Sequence, residues 1–289
     1  MDNTKEKNND LTSGPLTIKI IKFIIPLMLT GILQLLYNAA DSIVVGHYDG
    51  SSALAAVSSV GALINLLVNA FMGLSVGAAV VVAQDYGAKD YEGVSKTVHT
   101  SYLISIIGGI VVGAIGLIFS RQFLIWMESP EDVLPLSTEY LMIYFAGTPA
   151  NMAYNFGASI LRSVGDTKRP LYFLTISGLV NVVLNLVLVI VFHMGVAGVA
   201  YATIISQILS AVMVIVYMMK SKDCVRFVPK NMRIYGDKLK KMLYIGLPAG
   251  FQGTVFSLSN VVIQSAVNSF GSLVMAGNGA ASSLEGFTY

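Results

Sequence analysis

Two carboxylates fall inside long apolar stretches of this sequence, Asp41 in "LLYNAADSIVVG" and Glu285 in "AASSLEGF". A carboxylate at the centre of an apolar membrane helix costs about 2.5–3.5 kcal/mol on insertion scales. Such a group by default faces other protein and has a job. Three further polar residues stand out in apolar surroundings: Asn181 and Asn185 in "NVVLN", four apart and therefore on one helix face, and Thr203 in "GVAGVAYAT". One carboxylate, two amides and a hydroxyl form a hard oxygen set, which suits Na+ or a proton with water rather than a transition metal. Asparagine and threonine in such helices also serve as interhelical hydrogen-bond glue, so the set gains meaning only if its members share a depth.

The elements that position them follow from composition. Hydrophobic residues make up 55% of the chain and charged residues 12%, and mean hydropathy is +0.71. A soluble domain carries about 25% charge. The charges are confined to short clusters between uncharged runs at 23–40, 51–84, 97–120, 140–161, 171–219 and 242–284. A bilayer-spanning helix needs roughly 20 apolar residues. The first four runs each hold one span, and the last two hold two each, broken at "FHMGVAG" (192–198) and "NSFGS" (268–272). The expected helices are therefore 23–46, 53–83, 97–119, 138–163, 171–192, 196–219, 241–268 and 272–289. The fold class is an all-α polytopic membrane protein.

Lysine and arginine alternate between the segments joining these helices, 17 in one set and one, Arg121, in the other. The positive-inside rule then places the N-terminus and the 220–241 loop in the cytoplasm of a multi-pass plasma-membrane protein. That loop reads as topogenic rather than as a nucleic-acid contact. The polar stretch 1–15 carries no signal-peptide pattern. Cys224 reads as an inert reduced thiol, and His47, His99 and His193 as satisfied or solvated side chains at helix ends.

The chain also repeats itself. Residues 19–56 align with 241–277, placing Lys19 on Lys241, Pro26 on Pro248, Gly31 on Gly253 and Asn38 on Asn260; after a one-residue gap Gly50 falls on Gly271. Both copies start at the same membrane face, six helices apart, as in parallel-repeat transporters. The expected organisation is a disordered cytoplasmic N-terminus (1–15), a first six-helix bundle (16–220), a cytoplasmic linker loop (221–240) and the start of a second bundle (241–289). The repeat stops inside its second helix, which implies a twelve-helix protein of two pseudosymmetric bundles and makes the remaining C-terminal helices of that protein partners of this chain.

With these boundaries, Asp41 lies about six residues, or roughly 9 Å, below the end of its helix. Asn185 and Thr203 each lie about seven residues from the same face, with Asn181 one turn deeper. Glu285, about 13 residues into the last helix, is a candidate second carboxylate. Gln34, Tyr37, Asn38, Tyr154 and Asn155 are candidates for a substrate cavity, and Pro26, which lacks an amide donor, is a candidate bend point. No nucleophile elbow, P-loop or metal-ligand spacing is present, so neither an enzyme nor an ATP-driven pump is expected, and no cofactor beyond a coupling ion.

"IPLMLTGILQLLYNAADSIVVGHYDGSSALAAVS", "LRSVGDTKRP", "NVVLN" and "GVAGVAYAT" together resemble the multidrug and toxic compound extrusion (MATE) transporters, over about residues 12–289. The resemblance implies two six-helix bundles around a central cavity, and efflux of small organic, often cationic, compounds driven by Na+ or H+ entry. It also maps the family's first-bundle ion site onto Asp41, Asn181, Asn185 and Thr203. One departure is visible: several branches carry a glutamate in helix 7, but residues 248–268 contain no acid, and the repeat places Ile263 opposite Asp41. Coupling is therefore expected to rest on the first bundle. The alternative readings are a lipid-linked precursor flippase of the related superfamily, which needs a more cationic cavity, and a channel, which would conduct without exchange.

Overall fold

The computed structural model of the chain describes residues 16–285, which are helical apart from short connections. The helices are α1 (Leu16–Tyr48), α2 (Ser51–Gly87), α3 (Tyr91–Trp126), α4 (Leu134–Ala146), α5 (Thr148–Ser163), α6 (Lys168–Leu186), α7 (Gly195–Lys220), α8 (Gly236–Asn268) and α9 (Ser272–Glu285). A π-helical turn, Val187–Val191, extends α6, and a short 3-10 turn, Pro229–Asn231, interrupts the loop before α8. Among the described residues, α1, α2, α3, α7 and α6 with its π extension are long and apolar enough to cross a membrane. Large apolar side chains such as Ile118, Leu179 and Val183 stand 72, 60 and 58% exposed along these helices. Such surface is stable against lipid, not water. The chain is a polytopic membrane protein.

The expected single helix 138–163 is instead two, α4 and α5, meeting at Gly147. Thr148-Pro149 follows directly, and Pro149 in the first turn of α5 has no N–H to continue the ladder of α4. The other elements run longer than their uncharged cores: α3 begins at Tyr91, capped by Asp90, whose carboxylate accepts from the Gly93 N–H at 2.9 Å. Likewise α8 starts at Gly236, five residues before the expected boundary at 241.

The two stretches aligned in the sequence adopt the same local form. α1 and α8 are each 33 residues long with an internal proline, Pro26 and Pro248. Each is followed by a glycine in the left-handed region, Gly50 at φ 87° and Gly271 at φ 92°. That conformation turns the chain into the next helix and is strained for any residue with a Cβ.

Successive passes alternate in direction, with α4 and α5 together making one pass, so the molecule has a basic end (the loop 88–90 with Lys89, the turn 164–167 flanked by Arg162, Lys168 and Arg169, and the loop 221–235) and a cation-poor end (49–50, 127–133 and 192–194). One core cluster, including Val45, Val60, Leu141, Phe145 and Val199, fills the cation-poor half and continues through Ala78, Val81 and Met242 toward the basic end. A second, with Tyr102, Ile160, Val214, Met218 and Phe227, occupies the basic half. Between α2 and α8 the backbones themselves touch. A methyl group added at Gly73 would collide with the backbone of Gly246 and Gly250, and one at Gly77 with Met242. Both helices present glycines four apart, the small-residue spacing that lets membrane helices approach closely. Asn69 Nδ2 donates to Ser257 Oγ at 3.0 Å along the same seam.

Candidate functional site

Asp41 lies on α1, seven residues before Tyr48, the end of that helix. Asn185 reaches it from α6: its Nδ2 donates to Asp41 Oδ1. The same amide sits 3.4 Å from Asn181 Oδ1, one turn deeper. Asn185 is fully buried, Asn181 is 5% exposed and Asp41 is half-buried. Among the described residues no lysine or arginine forms an ion pair with Asp41. A carboxylate in apolar helices is therefore held by a neutral amide alone. The Oδ1 of Asn185 is buried without a hydrogen-bond partner. An orphaned carbonyl oxygen beside a carboxylate is an acceptor for a cation or a protonated group.

Thr203 is placed differently from the expectation of direct contact. Its hydroxyl donates back to Val199 O at 2.9 Å, a local bond within α7. Tyr140 of α4 stands between: its hydroxyl lies close to Thr203 and within electrostatic reach of Asp41. Tyr140 is 6% exposed, and one turn deeper on the same helix Tyr144 stacks beneath it, with ring centroids 6.3 Å apart, close to Gln207 of α7. Four helices thus supply polar groups at one level. Tyr140 was missed by sequence reasoning, although it lies six residues into α4, the same depth as its partners.

The other candidates are spread more widely. Gln34 and Asn38 are exposed on α1, on the stripe that continues to Asp41. Tyr37 packs across Gly178 of α6, with its hydroxyl 3.4 Å from Thr175 O. Tyr154 is 6% exposed and donates to Pro170 O at 3.2 Å, tying α5 to the start of α6. Asn155 donates to Asn151 O at 2.9 Å on its own helix. Glu285 is exposed at the end of α9, which packs on α2 through Gly279 and Ser58, away from the helices that supply the partners of Asp41. Pro26 is inside α1, and its carbonyl accepts from Thr30 Oγ1 at 2.7 Å. Among the described residues no cluster of three His, Cys, Asp or Glu side chains could hold a metal ion.

A second buried carboxylate lies at the basic end. Lys238 of α8 places its Nζ 2.7 Å from Asp85 of α2 and 3.9 Å from Asp90. Thr97 Oγ1 adds a bond to Asp85 at 3.3 Å. Nothing in the sequence pointed to this pair, whose members are 153 residues apart.

Comparison with known proteins follows the same lines. Residues 26–187 match the MatE family profile. A probable multidrug resistance protein, YpnP of Bacillus subtilis, is 31% identical over 280 residues, 96% of this chain and 62% of the relative. The multidrug export protein MepA of Staphylococcus aureus is 25% identical over 270 residues, 92% of this chain and 59% of its own length. The chain thus spans about three-fifths of the curated relatives it matches. The inward-facing structure of a multidrug resistance MATE family transporter of the MOP superfamily superposes with a TM-score of 0.78 at 25% identity, covering 90% of this chain and 60% of that one. A MATE structure in the straight conformation gives 0.76 at 25% identity over 93% of this chain and 65% of that one.

Proposed function

The chain belongs to the MatE family, and from that premise we propose that it forms the ion-coupling part of a secondary active efflux antiporter. In this reading the whole protein exports small organic, often cationic, compounds in exchange for Na+ or H+. It sits in the plasma membrane with the basic end cytoplasmic, an orientation supported by the charge alternation between its loops. The observation that carries the reading is Asp41, a carboxylate in an apolar bundle held by the amide of Asn185 and by no cation among the described residues.

The ion cycle follows from the donor set. With the site open to the outside, charged Asp41 is stabilised by the Asn185 N–H. Uptake of H+ or Na+ neutralises it. The Asn185 amide can then turn its unpartnered Oδ1 toward the new O–H or cation, since the two ends of the amide exchange donor for acceptor at little cost in shape. The Tyr140 and Thr203 hydroxyls lie at the same level to complete the shell. Neutral Asp41 no longer demands the same packing of α1 against α6. Pro26, which leaves the Lys22 carbonyl without its helical donor, is where α1 bends in response. The bend disfavours bound substrate, which leaves outward, and the ion leaves inward.

The test is dye efflux from vesicles containing the complete transporter, measured under separate Na+ and pH gradients, wild type against Asp41→Asn. One gradient drives wild-type exchange, and the variant folds but gains nothing from either. Gradient-driven exchange at the wild-type rate in the variant overturns the reading.

A further inference from the structure

At the basic end, the loop leading into α8 folds back on α3 and leaves a cleft of about 320 Å³ lined by Ser95, His99, Lys230, Asn231, Arg233 and Tyr235. One wall is fixed, while Lys230, Asn231 and Arg233 are exposed at its rim. His99, 4% exposed, points its Nδ1 at Ser95 O, 2.7 Å away, and its Nε2 accepts the Val228 N–H at 3.1 Å. The Tyr235 N–H donates to Thr100 Oγ1 at 3.2 Å, and the Lys96 ammonium stands 5.9 Å over the Tyr235 ring. That wall therefore exists before any ligand arrives, which lowers part of the ordering entropy of binding.

The charge in this cleft is unbalanced. None of its lining residues is acidic. Nearby cations are matched, Lys238 with Asp85 and Lys96 with Glu92 at 2.8 Å. Among the described residues Lys230 and Arg233 form no ion pair. A topogenic role explains why the loop is basic; it does not explain a recess with one fixed wall whose rim gathers two unmatched cations with an amide, a serine hydroxyl and a tyrosine. That donor set is complementary to an oxyanion carrying one to two charges, with arginine offering the fork that phosphate oxygens accept.

Depth identifies the source. Ser95 and His99 straddle the point on α3 where the charged segment ends and the uncharged run 97–120 begins. That is the level of lipid headgroups. Ile234, 42% exposed between Arg233 and Tyr235, sits there with its side chain available to acyl chains. We propose that the cleft is a phosphate-binding site that takes the headgroup of an anionic phospholipid from the leaflet facing the basic end. Bound lipid ties the loop before α8 to α3, and so links α1–α7 to α8.

Native mass spectrometry of the purified protein reads this directly, with phosphatidylglycerol as probe, phosphatidylcholine as the neutral control and inorganic phosphate as competitor. Lys230→Ala/Arg233→Ala is expected to weaken phosphatidylglycerol retention about thirty-fold, from the attraction lost with two interfacial cations. Lys222→Ala/Arg226→Ala, exposed cations of the same loop outside the cleft, is expected to change it little. Lys230→Gln/Arg233→Gln repeats the measurement with polar side chains that keep hydrogen-bonding capacity but no charge, and the thermal midpoint of each variant reports folding. Equal losses in the 230/233 and 222/226 variants, or none in either, overturn the site. Displacement of phosphatidylglycerol by millimolar inorganic phosphate overturns the lipid as its occupant.

Discussion

Asp41 and Asp85 are both carboxylates enclosed by apolar helices, and they are held in opposite ways. Asp85 faces an ammonium at 2.7 Å with a threonine hydroxyl beside it. Asp41 faces an amide, with a tyrosine hydroxyl within electrostatic reach. An ammonium makes the charged form of its partner the only economical one, since removing either member leaves a buried uncompensated charge. An amide serves both forms, donating to the anion from its nitrogen and accepting from the neutral acid or a bound cation at its oxygen. The first arrangement fixes a contact between α2 and α8; the second permits a change of charge. The same residue type is therefore a structural fastener at one end of the bundle and the proposed switch at the other.

The comparison breaks most completely at Asp41. Asp41→Asn keeps size and hydrogen bonding, so the thermal midpoint stays near wild type while gradient-driven exchange falls to the level of protein-free vesicles. The opposite pattern is expected at the other carboxylate. Lys238→Met strands buried Asp85 and destabilises by about 3–5 kcal/mol, whereas Asp85→Asn/Lys238→Met recovers most of that loss. Denaturation in detergent of the two variants side by side is the check. If Lys238→Met is as stable as wild type, the pair is not a fastener.

A smaller effect sharpens what the fastener secures. The Asp85–Lys238 pair closes one end of a seam whose middle is Gly73 and Gly77 against Gly246 and Gly250. Gly73→Leu forces backbones apart and is expected to destabilise by about 1–3 kcal/mol, the usual range for overpacking. Gly61→Leu, on the same helix with nothing within 4 Å of a built Cβ, is the control and is expected to stay within about 0.5 kcal/mol. Equal losses in both would mean that helix propensity or expression, not the seam, is being measured.

How much of this was legible from the residues depends on whether a group's partner lies at a predictable depth. Asp41 and Asn185 are 144 residues apart, yet counting inward from helix ends placed them together, because α1 and the π extension of α6 stop within two residues of their expected ends at 46 and 192. Tyr140 escaped the same count. Its helix was expected to begin at 138, which left the tyrosine at the membrane surface. The structure begins α4 at Leu134, where Pro135 in the first turn needs no amide partner, and so carries Tyr140 down to the level of Asp41. Thr203 was at the right depth, but depth does not fix a hydroxyl's bond, and its own helix carbonyl at Val199 took it. Asp85 and Lys238 were invisible because both flank apolar runs, where charges serve topology whether or not they pair.

The smallest expected effects test whether the shell around Asp41 is graded as its geometry implies. Asn185 contacts the carboxylate directly, whereas Tyr140 acts through its proximity to Asp41 and Thr203. A hydrogen bond to a charged group contributes about 1.5–3 kcal/mol and one between neutral groups about 1 kcal/mol. Asn185→Ala should therefore weaken the ion dependence of exchange by about ten-fold or more, and Tyr140→Phe by about five-fold. The measurement is the ion concentration giving half-maximal exchange in vesicles, with the maximal rate reported separately, since loss of a shell ligand shifts the former and loss of the switch removes the latter. If Tyr140→Phe proves more severe than Asn185→Ala, the hydroxyl rather than the amide is the principal partner of Asp41. The contrast with Asp85 would then rest on α4, not on α6.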